Sequence, residues 1–352
     1  MQSQAEVRDQ PPPGPPPPPE HGARLPWRWI VTALMLGFLV WAAFNVPIPV
    51  VYAYEPGPAR DVEKLVEVSG ERTYSSDGSL YLTTVRVDIN VTVVEWIEAA
   101  IDPAKLIVSK NEVTGGRSFD RLEEIQLQQM ESSKEQARVV ALNALGYPPP
   151  TGDGAKILDV QEQSPAGGTL ETDDVITSVN GSDVETTCDA SQTIGAVEIG
   201  DEVELTVLRD GKERNLSLTT AENPEDPSKA YVGVFMTNKG FEYDPGVDVK
   251  FATGEIAGPS AGLMFSLTLY DQLTPEDLTG GRQVAGTGTI GCGGEVGAIG
   301  GIEQKVAGAE GEGADVFLAP SGNYEAALAV ADDIEVVEVA TFQDALDFLE
   351  GS

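Results

Sequence analysis

Two side chains carry the strongest chemical signal in this sequence. Ser260 lies in GPSAG, Gly258 to Gly262, directly ahead of the apolar run LMFSLTLYD. Pro259 suits the first turn of a helix, because its missing N–H would be unpaired there in any case, and Ser260 then sits where free N–H groups and positive dipole gather. A serine so placed can have a developing oxyanion stabilised by backbone donors, and the N–H groups of Ser260 and Ala261 are the candidates. Lys305 lies in GGIEQKVAGAEGEGADVFLAP, Gly300 to Pro320. With residues 302–310 helical, its neighbours three and four positions away are Gly301, Ile302, Gly308 and Ala309, none of them charged. Such a lysine can turn inward without a local counter-charge, and desolvation then lowers its pKa from about 10.4 toward neutrality. A neutral lysine can take the proton of a serine hydroxyl that attacks a peptide carbonyl and return it to the leaving amine. The simpler accounts are a capping serine before a buried helix and a snorkelling surface lysine.

The absence of alternatives narrows the chemistry. The single histidine is His21, inside a proline-rich tail. A Ser-His-Asp or Cys-His centre, and most zinc sites, need an imidazole within the fold, so none is expected; no metal and no cofactor is assigned. Cys188 and Cys292 lie far apart and fall in different modules, so both are expected to be free. Fifty-seven acidic residues against 22 basic ones give a net charge of −35, a field that repels phosphate backbones and argues against a nucleic-acid partner. The acidity itself reads as an adaptation to solubility or high salt. No GxxxxGK[ST] loop is present, so no ATP-driven engine is encoded. GTGTIG at Gly286 to Gly291 has dinucleotide-loop spacing but runs on in glycines to Gly301, which removes its weight.

The elements that must position these residues follow from composition and periodicity. An apolar fraction of 41% over 352 residues fills the cores of two modest domains with appendages. Residues 1–29 form a tail dominated by Pro11 to Pro19, expected to be disordered and cytoplasmic. Residues 30–52 are expected to be a transmembrane helix, since Ile30 to Val46 is almost wholly apolar and no charge occurs between Arg28 and Glu55. Arg24 and Arg28 precede it, and Trp27, Trp29, Tyr52 and Tyr54 flank it. The expectation is a single-pass protein of the cell membrane, N-terminus inside and the remainder extracytoplasmic. A cleaved signal peptide is the competing reading. Within 60–147, alternation predicts a hairpin of Val66 to Tyr74 with Leu80 to Val94 around a turn at 76–79. A helix from Phe119 to Leu145 follows, stopped by Gly146 and Pro148 to Pro150. Residues 150–221 read as short strands, with Asp210-Gly211 closing a tight hairpin, and residues 229–352 hold both chemical motifs.

Residues 155–219 resemble the PDZ modules attached to bacterial envelope proteases, on Ser164 to Ala166, Leu170, Asp174, Val175, Ile176, Val179, Asn180, Gly181 and Val184. That resemblance implies a peptide C-terminus added as a strand, its carboxylate held in a backbone nest. The nest would fall at Thr151 to Ala155, giving Gly152, Gly154 and Ala155 as peptide-binding residues. GPSAG, with GGIxxK and GADVFLAP downstream, resembles the two motifs of Lon-type peptidases over Tyr231 to Leu349. By that resemblance Ser260 and Lys305 form a Ser-Lys dyad, and Thr287 of GTGTIGCGGEVGAIGG orients the lysine. Ile256 and Ala257 stand where many of that family carry lysine and aspartate. Val66 to Val87 also resembles the first strands of that domain, which would make the PDZ module an insertion. The whole is expected to be an α+β, ATP-independent, membrane-anchored serine endopeptidase of the PDZ-Lon kind, acting on extracytoplasmic or membrane-tethered proteins. Rings are common in that family, so a homo-oligomer is compatible. The alternative is a PDZ scaffold whose peptidase-like domain is inactive.

Overall fold

The computed structural model describes residue 14 and residues 27–114, 119–223, 229–254 and 256–351. Apart from Gly14, residues 1–26 of the expected tail lie outside these, and 27–29 already belong to the first helix. Helix α1 (Trp27–Asn45) has a mean hydropathy of 1.6 and no buried residue, so its length and composition suit a bilayer span. It ends seven residues earlier than expected, because Pro47 cannot continue it and strand β1 (Val51–Pro56) begins within the stretch expected to be helical.

The chain continues through β2 (Arg60–Asp61), β3 (Val66–Ser69), β4 (Ser79–Leu82), β5 (Val85–Asp88), helix α2 (Val93–Ala99), β6 (Leu106–Ser109) and helix α3 (Lys110–Thr114). β1 pairs antiparallel with both β5 and β6. Helix α4 (Phe119–Ala144) follows and ends before Gly146, left-handed with φ 82°.

A second unit begins with β7 (Gly154–Val160), β8 (Val175–Val179), β9 (Ser182–Asp183), helix α5 (Thr187–Gly195), β10 (Glu202–Arg209) and β11 (Lys212–Thr219). The short pair β12 (Ala221–Glu222) and β13 (Ala230–Tyr231) leads into β14 (Val234–Lys239). The sheet order is β11-β10-β8-β7-β14, with β9 against β8. β10 and β11 meet through Asp210 and Gly211, both at positive φ, the tight turn that the sequence signals. Ile157, Ile176, Val179, Ile194, Leu205 and Val207 close the core between this sheet and α5. β14 belongs to this sheet, although the sequence reading gives residues 229 onward to the C-terminal unit.

The remaining elements are β15 (Asp248–Phe251), α6 (Gly262–Leu273), β16 (Gln283–Gly286), β17 (Thr289–Ile290), β18 (Val296–Gly297), α7 (Ile302–Gly311), β19 (Val316–Pro320), α8 (Tyr324–Val330), β20 (Glu335–Val339) and α9 (Phe342–Glu350). Their main sheet has the order β2-β4-β16-β19-β20, and the last four strands run parallel. Helices α7 and α8 supply the crossovers that parallel neighbours require. Every residue of β19 is buried, as expected of a central strand covered on both faces.

The expected hairpin does not form. β3 pairs with β15, while β4 pairs with β2 and β16, so the partners of both strands come from elsewhere in the chain. Alternation reveals which face of a strand is buried but not what lies beside it. With β4 directly against β16, the sheet built on residues 154–239 is an insertion within an α+β unit whose strands flank it in sequence.

The cysteines are also not free. Cys188, in the first turn of α5, is joined to Cys292, in the loop between β17 and β18. Sequence separation suggested two independent thiols; the insertion brings them together.

Candidate active site

Lys305 is delivered by α7, which starts after a left-handed Gly301 at φ 70°. A Cβ there would lie 2.8 Å from Val85 Cγ2, so both the backbone conformation and β5 demand glycine. The helix then turns Lys305 inward, leaving it 4% exposed. Its Nζ lies 2.9 Å from Ser260 Oγ, 3.0 Å from Thr287 Oγ1 and 3.0 Å from the carbonyl oxygen of Thr83. No carboxylate among the described residues bonds to it. Burial alone pushes the amine down from its ordinary value of 10.5 to about 7, since a charge there would lose its water without gaining a counter-ion.

Ser260 sits in the turn ahead of α6 rather than in its first turn, with Ala261 as the N-cap. Four contacts fix that turn. The Thr287 hydroxyl donates to the Ser260 carbonyl at 3.0 Å, and the Gly288 N–H donates to the same oxygen at 2.8 Å. From α4, Ser133 Oγ donates to Pro259 O at 2.9 Å, and Gln126 O accepts the Gly258 N–H at 3.0 Å. Among the described residues, the backbone N–H groups of Ser260 and Ala261 have no acceptor. Gly262 is squeezed between Ile290 and Ser133, where a Cβ would meet atoms at 2.7 and 2.8 Å, so only glycine lets α4 and β17 close on the turn that holds Ser260.

Ser260, Lys305 and Thr287 therefore occupy one pocket, together with contributors the sequence did not single out. Thr83 acts through its carbonyl, which leaves no side-chain signature, and Ser133 and Gln126 belong to a helix that reads only as amphipathic. The resemblance of Val66 to Val87 to the opening strands of a Lon-type domain was the available pointer to Thr83.

At the expected nest of Gly152, Gly154 and Ala155, Gly154 and Ala155 are engaged by the fold itself. Asp153 N–H donates to Lys239 O at 2.7 Å and Gly154 N–H to Glu185 O at 3.0 Å, while Ala155 pairs with Ile176 and Asn238. Gly154 and Ala155 belong to the seam where β7 meets its neighbours. The edge open to another strand on this side is β14, bordered by α5, whose Thr187 N–H and hydroxyl both donate to Asn238 Oδ1. The sequence signal missed there is Tyr231 to Phe235, a glycine at φ 84° among apolar residues at the head of the strand. Between α4, α5 and β14 lies a cavity of about 260 Å³, reached by Gln136, Asn143, Gln192, Met236 and the Cys188–Cys292 disulfide. The disulfide and a 3.4 Å Lys229–Glu295 contact tie this edge to the loop that follows Thr287 and Gly288.

Comparison with known proteins places both units. The family model for the Lon protease (S16) C-terminal proteolytic domain matches residues 232–349, and that for the PDZ domain matches residues 125–220. Lon protease 2 of Bacillus subtilis is 36% identical over 115 residues, 32% of this chain and 20% of that protein. A probable periplasmic serine endoprotease, DegP-like, of Pseudomonas fluorescens is 38% identical over 74 residues, 21% of this chain and 16% of that protein. The matched stretches thus span about a fifth or less of these curated relatives. Among solved structures, the PDZ domain of an SdrC-like protein from Listeria monocytogenes is 20% identical with a TM-score of 0.23, over 24% of this chain and 90% of that one.

Proposed function

From a chain that joins a PDZ domain to a Lon-type proteolytic domain, we infer a serine endopeptidase in which Lys305 is the base for Ser260 and the PDZ domain binds substrate chains. The observation that carries this reading is the 2.9 Å approach of a buried amine, with its pKa near 7, to the serine hydroxyl.

Counting hydrogens supports the direction of proton transfer. A neutral amine has two N–H donors and one lone pair. Thr83 O can only accept. Thr287 Oγ1 spends its own hydrogen on Ser260 O, so toward Lys305 it also accepts. Those two partners use both N–H bonds, and the lone pair is left for the Ser260 hydroxyl. As Oγ bonds to the scissile carbonyl carbon, its proton passes to Nζ, and the oxyanion forms beside the N–H groups of Ser260 and Ala261. Collapse breaks the C–N bond, Nζ returns the proton to the leaving amine, and a water deprotonated by the same nitrogen hydrolyses the acyl-enzyme.

Substrate recognition is assigned to the outer edge of β14, where an extended chain adds by main-chain hydrogen bonds with α5 as the opposite wall. The left-handed Gly233 turn at the head of β14 is the candidate for receiving a terminal carboxylate, in place of Gly152 and Gly154. Helix α1 serves as a single membrane anchor with the catalytic portion outside, so substrates are extracytoplasmic or membrane-tethered proteins. The 352 residues include no phosphate loop, in keeping with cleavage that does not use ATP on unfolded or loosely folded chains. Casein digestion and labelling with a fluorophosphonate probe test the reading. Wild-type protein should do both, and Ser260→Ala and Lys305→Ala should do neither; digestion that survives both substitutions contradicts the mechanism.

A further inference from the structure

Helix α2 turns one face to solvent that nothing among the described residues covers. Val93, Trp96 and Ile97 are 40, 46 and 52% exposed, at the three- and four-residue spacing that places them on one side of the helix, and Ile101, in the turn that follows it, is 80% exposed. Glu95 and Glu98 point elsewhere, and Glu95 is held in a capping box with Thr92. The position of this face gives it meaning. Pro47 bridges Thr92, Ile48 N–H donates to Val91 O at 2.8 Å, and α1 packs against α2. Val46 and Val50, 48 and 62% exposed, add apolar surface where α1 ends and meets this junction.

Resting on the reading of α1 as a membrane span, we propose that α2 lies in the interfacial layer of the same bilayer as a second attachment. A short helix with one apolar face, a tryptophan on that face and its charges turned away is the form that settles at the boundary of headgroups and acyl chains. The occupant is that uncharged boundary and not a cluster of anionic headgroups, because α2 itself is acidic and the net charge of the chain is −35. The attachment bears on the active site. β5 begins two residues after Thr83, whose carbonyl holds Lys305, and α7 packs on β1, the first strand after α1. Both strands stand on the α1–α2 junction, so the Ser260–Lys305 pocket is held at a fixed tilt close to the membrane, where chain segments emerging from the bilayer reach it first.

The test uses the full chain in phosphatidylcholine vesicles with one nitroxide label at a time, at Ile97→Cys, Leu36→Cys or Leu328→Cys. The native cysteines are paired and do not take the label. Collision with dissolved oxygen against a water-soluble nickel chelate reads depth. Leu36, in the middle of α1, and Ile97 should both favour oxygen, Ile97 at shallower depth and several-fold above Leu328, an exposed residue of α8. Oxygen preference at Leu36 with nickel access at Ile97 equal to that at Leu328 overturns the interfacial attachment and leaves the anchor standing. Nickel access at Leu36 overturns the anchor and the attachment with it. A label at Ile97 that is shielded from both reagents and spin-coupled to another copy makes the face a contact between chains, and also overturns the proposal.

Discussion

The pocket at Lys305 and the edge at β14 solve opposite problems. Around Lys305 the amine, both hydroxyls and the Ser260 carbonyl are locked by five hydrogen bonds from four parts of the chain. Along β14, which pairs with β7 on one side, the outer edge has no strand partner among the described residues, and Phe235 is 55% exposed. The first arrangement suits chemistry, where charge must be controlled and geometry pre-set. The second suits recognition of many chains, because main-chain hydrogen bonds are indifferent to sequence. Substitutions should therefore divide cleanly, with changes in the pocket altering turnover and changes at the edge altering the apparent affinity for protein substrates.

The largest effect is expected from Lys305→Met, which should lower kcat by about 10²- to 10⁴-fold in peptide cleavage, the range typical of losing a general base. The same variant reports the cost of burying the amine. In wild type the folded-state pKa lies below the unfolded one, so native Lys305 must carry a buried charge at pH below about 7. That penalty is relieved as pH rises through the interval between the folded and unfolded values. Stability of the methionine variant relative to wild type, measured by thermal unfolding, should accordingly be highest below that interval and fall across it.

Next comes Thr287→Val, which removes the hydroxyl that links Nζ to the Ser260 carbonyl. One such hydrogen bond is worth about 1 kcal/mol, so kcat should drop roughly fivefold with KM little changed. At the edge, Gln192→Trp puts bulk into the cavity between α4, α5 and β14; KM for casein should rise a few-fold while fluorophosphonate labelling keeps its rate. A fall in labelling rate instead would mean that edge and pocket are mechanically one. The smallest effect on chemistry is expected from Cys188→Ser. Loss of a cross-link closing 104 residues of sequence should cost about 2–4 kcal/mol in denaturant unfolding, with labelling of the folded protein unchanged.

The same contrast explains what could be read in the sequence. The meeting of Ser260 and Lys305 was legible because it depends on particular side chains in particular local frames, GPSAG before a buried helix and a lysine among uncharged helical neighbours, and because no histidine falls among the described residues. Thr83 was not, since its contribution is a carbonyl that any residue carries. The edge at β14 escaped for a related reason: an open edge is a property of sheet order, which alternation does not specify, and Gly154 bonds within the seam of β7. The strands of Val66 to Val87 were recognisable as strands, but their partners lie beyond the insertion. That insertion also brings Cys188 to Cys292, a proximity to which sequence distance is blind.

The central claim is that a neutral Lys305 activates Ser260, and the pH dependence of fluorophosphonate labelling tests it most directly. Over roughly pH 6 to 9, a range that brackets the perturbed amine, the rate should rise with a single ionisation near 7 and then level off, and Lys305→Met should abolish it at every pH. A rate that stays flat across that range, or labelling of Ser260 that persists in the methionine variant, would contradict it.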